Sequence, residues 1–172
     1  MCETCDGANY GARLARYAEV IRTNGFLVTS VEGPRGWSYT IGLLDSAGHP
    51  ELIAVGGAAV PRAEMVHALG TMALDGERFR IGDTIDLGES LTATVSLVHP
   101  IHFQLDTFAM WQDVADIGAI HRHTPRAVQV LLPAVLLDGV PQPLLADPSA
   151  RVGGAPHPNR RERRARRRRR RH

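Results

Sequence analysis

The chain has 172 residues, 44% of them hydrophobic and 22% charged, which fits one globular domain large enough to bury a core without disulfide staples. Its net charge of +2 joins two unlike parts: residues 1–159 sum to −7 and residues 160–172 to +9. No apolar run approaches the roughly 18 residues of a membrane span, and the first ten residues are acidic where a signal peptide would be basic and apolar, which predicts a cytoplasmic protein.

In chain order, residues 9–24 predict an amphipathic helix, because Tyr10, Leu14, Tyr17 and Ile21 fall on one stripe. Asn24 and Gly25 end it. Phe26 to Val31 and Trp37 to Leu43 predict a hairpin around the polar turn at 32–36. Asp45 to Pro50 reads as another turn, and Glu51 to Val55 as a short strand buried on both faces. Pro61 marks the start of a second helix, whose apolar face is assigned to Met65, Val66, Leu69 and Met72, and which closes at Asp75-Gly76. Two strands follow, Asp83 to Leu87 and Leu91 to Val98. Then come a short helix at 108–117, a strand at Arg126 to Leu132 and a Pro-rich closing segment, Val135 to Leu145. Hairpins outnumber crossovers in this order, so the expected fold is α+β: a single domain with a largely antiparallel sheet and two to three helices. The domain is placed at 1–147. Residues 148–172 are expected to form a disordered tail, first rich in Gly and Pro and then in Arg.

Candidate chemistry begins with Cys2 and Cys5, spaced as in half a zinc site or a thiol redox pair. Zinc takes four ligands and the chain has two cysteines, so two histidines would complete a site. His99 and His102, an H-x-x-H around Pro100, are the first candidates, and His121 and His123 the second. A redox pair would draw on the helix starting just after Cys5 to lower a thiol pKa. A pair without chemical role stands beside both. His49 and Glu51 sit at the mouth of a buried strand near Tyr39 and Thr40, where a His–Glu couple could act as general base and orienting partner, or the four could wall a small-molecule pocket. The plainer reading has Pro50 fixing the turn, His49 solvated and Glu51 capping the strand edge. Gly56-Gly57, ahead of a helix start, reads as a strand-to-helix turn whose N–H groups could also receive an anion. Trp37 and Trp111 read as core residues. The chain has no G-x-S-x-G, no phosphate-binding Gly loop and no H-E-x-x-H.

Several of these blocks carry a resemblance. Tyr39-Thr-Ile-Gly-Leu43, then Gly48-His-Pro-Glu-Leu52 and Gly56-Gly57, resemble the uncharacterised bacterial domain-of-unknown-function family 4262. The match extends to Cys2, Cys5 and Asp6, to Asn24-Gly25-Phe26, and to Arg126-Ala-Val-Gln-Val130, over roughly residues 1–145. The chain departs from that family at Val140-Pro-Gln-Pro143, where an aromatic-rich segment is common. The resemblance implies a family and no activity.

The tail holds ten arginines in thirteen residues: Arg160, Arg161, Arg163, Arg164, Arg166, Arg167, Arg168, Arg169, Arg170 and Arg171. Guanidiniums at this density repel one another unless a polyanion neutralises them, so the expected partner is RNA or DNA. No aromatic is interleaved, so contact is expected to be non-specific in sequence. The alternative is a solvated extension that aids solubility or touches the acidic body of another copy. The overall expectation is an accessory or binding domain, with a metal- or thiol-dependent enzyme and a small-molecule-binding domain as alternatives.

Overall fold

The structure is a computed structural model and describes residues 7–33, 35–121, 125–137, 140–150 and 152. Helix α1 (Gly7–Asn24) opens the chain. It buries Leu14 and Ile21 and stops where Gly25, at φ 84°, donates its N–H to the Ile21 carbonyl at 2.8 Å. Strands β1 (Leu27–Val31) and β2 (Trp37–Ile41) form the expected hairpin, Leu27 facing Ile41 and Val31 facing Trp37. Strand β3 (Glu51–Val55) is antiparallel to β2 and buried at all five positions. Its parallel neighbour is β6 (Ala127–Leu131), and the β4 (Thr84–Gly88) and β5 (Leu91–Leu97) hairpin completes a six-stranded sheet ordered β1-β2-β3-β6-β5-β4. Four of the five pairings are antiparallel, and the fold is α+β as expected.

The pleat sends alternate residues to opposite faces, so one sheet carries two cores. Trp37, Tyr39, Ile41, Ile53 and Val55 pack with Leu14 and Ile21 of α1 and with Trp111 and Val114 of α4 (Ala109–Asp116). Leu52, Ala54, Val128 and Val130 pack on the other side against Val66, Leu69 and Ala73 of α3 (Ala59–Leu74). Phe103, Phe108 and Leu145 close the first core, and the packing there reaches Ala150 and Val152.

Two local readings change. Asp45 to Pro50 is not simply a turn: residues Leu43–Ala47 form a short helix, α2, so Leu43 leaves the predicted strand, and the described residues hold four α-helices where two to three were expected. On α3 the buried side is Arg62, Val66, Leu69, Gly70 and Ala73, while Met72 is exposed. The helix is turned so that Gly70 meets the Phe26 ring, leaving no room there for a larger side chain.

The β4–β5 hairpin turns on Glu89 and Ser90, at φ 50° and 63°. Two non-glycine residues in the left-handed region each sacrifice about 1 kcal/mol. Ser90→Gly is expected to raise unfolding stability by roughly 1 kcal/mol in urea denaturation. No change, or a loss, would show that the turn is not strained.

Candidate functional site

Tyr39, Thr40, His49 and Glu51 are all buried, at 2%, 0%, 1% and 1% exposure. They do not share one space. As consecutive strand residues, Tyr39 and Thr40 point to opposite faces. Tyr39 lies in the α1/α4 core, its ring edge-on to Phe108 at 5.0 Å and its hydroxyl accepting the Met110 N–H at 3.2 Å, in the first turn of α4. Burial raises the pKa of that phenol, so it stays protonated.

Thr40 and Glu51 form the centre of a separate circuit. The Glu51 Oε2 accepts from the Thr40 hydroxyl at 2.6 Å and from the Leu43 N–H at 3.3 Å, and Oε1 accepts from the N–H groups of Gly42 at 3.0 Å and Leu44 at 3.5 Å. Thr40 Oγ1 accepts in turn from the Leu52 N–H at 2.9 Å. Three of the four donors to Glu51 are backbone groups that a helix N-terminus leaves unsatisfied, so Glu51 caps α2 from another strand. Gly42, the residue before the helix, sits at φ 102°, and a Cβ there would strike Ile21. Burial drives the Glu51 carboxyl up, to about 7, against these four bonds, which pull it down.

His49 is not solvated. Its Nδ1 lies 2.6 Å from the Pro50 carbonyl, and its Nε2 accepts the Phe79 N–H at 3.1 Å, which fixes a neutral ring protonated on Nδ1. The Phe79 ring packs edge-on at 5.5 Å. Burial lowers the pKa of His49, in agreement with that tautomer. The His–Glu couple is therefore not a hydrogen-bonded pair: His49 holds the loop before β4, and Glu51 holds α2.

Of the proposed zinc ligands, Cys2 and Cys5 lie outside the described residues, as does His123. His99 and His102 stand at the two ends of one 3-10 turn; His99 Nδ1 accepts the Ile101 N–H at 3.2 Å, and His102 is fully buried with Nε2 3.0 Å from the Asp147 carbonyl. His121 is exposed; its backbone N–H donates to Asp45 at 2.7 Å and its ring lies 3.3 Å from the same carboxylate. Among the described residues no three His, Cys, Asp or Glu side chains are grouped to hold a metal ion. The arginines of residues 160–171 also lie outside the described residues.

Two buried polar residues to which the sequence assigned no role are structural centres. Arg62, 3% exposed, donates from Nε to Ser38 Oγ at 3.0 Å and from Nη1 to the carbonyls of Gly56 at 2.9 Å and Gly57 at 2.8 Å. The Gly56-Gly57 turn thus presents carbonyls to a cation, and the guanidinium already occupies it. Gln129, also buried, accepts the Leu145 N–H at 2.7 Å and donates to the Pro143 carbonyl at 2.8 Å, fastening the closing segment to β6. Arg62 was legible as a polar residue in phase with Val66, Leu69 and Ala73.

The architecture and this circuit define an α+β domain whose buried polar side chains tie together its turns. The chain belongs to the family described as Domain of unknown function (DUF4262), which matches residues 20–134, about two thirds of its length. No curated protein and no solved structure matches it significantly. Among the described residues no helix is long and apolar enough to cross a membrane.

The two buried groups predict opposing pH dependences. Glu51 holds its proton more tightly when folded, about 7 against an ordinary 4.5, so it adds stability at acid pH that is lost as pH rises from about 4.5 through 7, roughly 3 kcal/mol in all. His49 is lowered from 6.5, so it adds stability above about 6.5 that is lost as pH falls through its folded value. In urea titrations, Glu51→Gln is expected to leave stability rising with pH between about 5 and 6.5, and His49→Asn to leave it falling over the same range. Wild-type profiles in both variants would refute the assignment.

Proposed function

We propose that this protein is an accessory or binding module that contacts RNA or DNA non-specifically through its C-terminal arginines. The observation that carries this reading is the sequence of that end, ten arginines and one acid in thirteen residues, on a chain otherwise at −7. Each guanidinium that replaces a phosphate counterion adds affinity by ion release, independent of base identity. The engagement of Thr40, His49 and Glu51 in internal hydrogen bonds supports a binding role carried elsewhere in the chain rather than catalysis at that motif. The assignment to a cytoplasmic setting belongs to the same proposal.

The test is nucleic-acid retention across a salt series, comparing the full chain with one lacking residues 160–172. The full chain is expected to lose about a thousandfold or more in affinity between about 50 and 200 mM salt, as for six or more phosphate contacts. Truncation is expected to abolish binding at both salts. Equal retention by the truncated chain ends the proposal.

A further inference from the structure

We propose that His49 is an acid-released latch on the loop joining α3 to β4: the loop is held while the imidazole is neutral and lets go when the ring takes up a proton. This inference is independent of the nucleic-acid reading and of the protonation state of Glu51.

Two hydrogen bonds set the direction of the switch. A carbonyl only accepts, so Nδ1, 2.6 Å from the Pro50 carbonyl, carries the one proton of the ring. A backbone N–H only donates, so Nε2, 3.1 Å from the Phe79 nitrogen, supplies its lone pair. The neutral ring alone fits both partners. A proton added at Nε2 sets one N–H against another, and at 1% exposure the ring has no water to take up the mismatch while the loop is closed. Moving Phe79 away relieves the conflict and lets water accept the new proton. The closed state therefore binds that proton less tightly than the open one, and acid shifts the population toward opening. Burial lowers the pKa of His49, in the same direction.

The charged surroundings do not rescue an imidazolium. Arg78, the neighbour of Phe79 in the loop, donates from Nη2 to the Ala47 carbonyl at 3.0 Å, two residues before His49, and its charge opposes a second cation there. No carboxylate among the described residues is hydrogen-bonded to the ring. On the loop, Asp75 and Glu77 are exposed, and Asp83 accepts the Arg80 N–H at 2.7 Å. On α2, Asp45 holds the His121 N–H at 2.7 Å, and on β3 Glu51 takes its donors from Thr40 and the start of α2. Arg126, before β6, meets β3 through its carbonyl, which accepts the Glu51 N–H at 2.8 Å.

The opening is bounded, and it has a consequence. Two backbone bonds bracket the segment, Glu77 N–H to the Met72 carbonyl at 3.0 Å and Gly82 N–H to the Val95 carbonyl at 2.8 Å. Between them, Phe79 lies edge-on to His49 at 5.5 Å and packs against the core under α3, while Ile81 is already 60% exposed. Release lifts Phe79 from that core and withdraws the Arg78 tether from α2. One proton thus turns a docked segment into an exposed apolar one.

The test is amide hydrogen exchange on the full chain between about pH 7.5 and 4.5, corrected for intrinsic exchange. Protection of the Phe79 amide is expected to fall about threefold or more as pH drops, while that of Gly82 holds. In His49→Gln, whose side-chain oxygen accepts an N–H and does not titrate, Phe79 protection is expected to be independent of pH. A nitrogen-15 titration of the ring in the unmodified chain needs no variant. It is expected to show a neutral ring protonated on Nδ1, with a midpoint below the ordinary 6.5 that tracks the loss at Phe79. A flat Phe79 profile, a parallel loss at Gly82, an unchanged pH dependence in His49→Gln, or a neutral ring protonated on Nε2 each overturns the latch.

Discussion

A carboxyl group enclosed where water does not reach it is the constraint around which the first half of this fold is arranged. Strand β3 is buried at every position, and it begins with an acid. Glu51 must therefore find its partners inside the protein, since an unsatisfied buried carboxylate is among the most expensive groups a fold can carry. The partners come from β2 and from the chain just after it: Thr40, then Gly42, Leu43 and Leu44. This requirement accounts for α2. A helix start turned toward β3 presents several free N–H groups at once, and Gly42 at φ 102° lets the chain leave the strand and enter that start without a Cβ striking Ile21. Thr40, Gly42 and Leu43 of one block that carries the family resemblance, and Glu51 and Leu52 of the next, are thus two sides of one hydrogen-bond circuit.

The same economy recurs at the other end of the sheet. Arg62 is also buried, and among the described residues it too has no partner of opposite charge; carbonyl dipoles of Gly56 and Gly57 and the Ser38 hydroxyl take its donors. A guanidinium keeps its charge under burial far better than a carboxyl does, because its proton is held so tightly. Arg62 therefore works as a permanent staple, whereas the Glu51 carboxyl is held by four donors against a burial that disfavours its charge. Gln129 performs the neutral version of this task, fixing the segment around Leu145 with one donor and one acceptor. The polar residues in the interior thus set where turns and short segments attach, and the apolar clusters set how the layers stack.

This division explains what could be read from the sequence. The strands and the long helices followed from periodicity, because their apolar residues answer to the sheet and helix repeats. Helix α2 did not, because five residues between a glycine at 42 and a glycine at 48 show turn chemistry and no period. The interior setting of His49 was equally hidden. A histidine beside a proline at a turn looks solvated, and the groups that bury it, the Phe79 ring and N–H, stand thirty residues away. Tyr39, Thr40, His49 and Glu51 looked like one site because they are close along the chain. Strand alternation separates the first two, and the partner of the Tyr39 hydroxyl is at Met110. Contacts of that sequence separation leave no local mark.

The interior polar groups also bear on where recognition would reside. A hydroxyl, imidazole or carboxyl committed to holding a turn is not available to a ligand without loosening that turn, so binding at the motif and integrity of the fold would compete. On the proposed reading, contact with a polyanion is delegated to the arginines of residues 160–171. Phosphates that attract residues 160–171 also repel a body at −7. Screening confines that repulsion to about 8 Å at physiological salt. On that reading, rising salt weakens the attraction and the repulsion together.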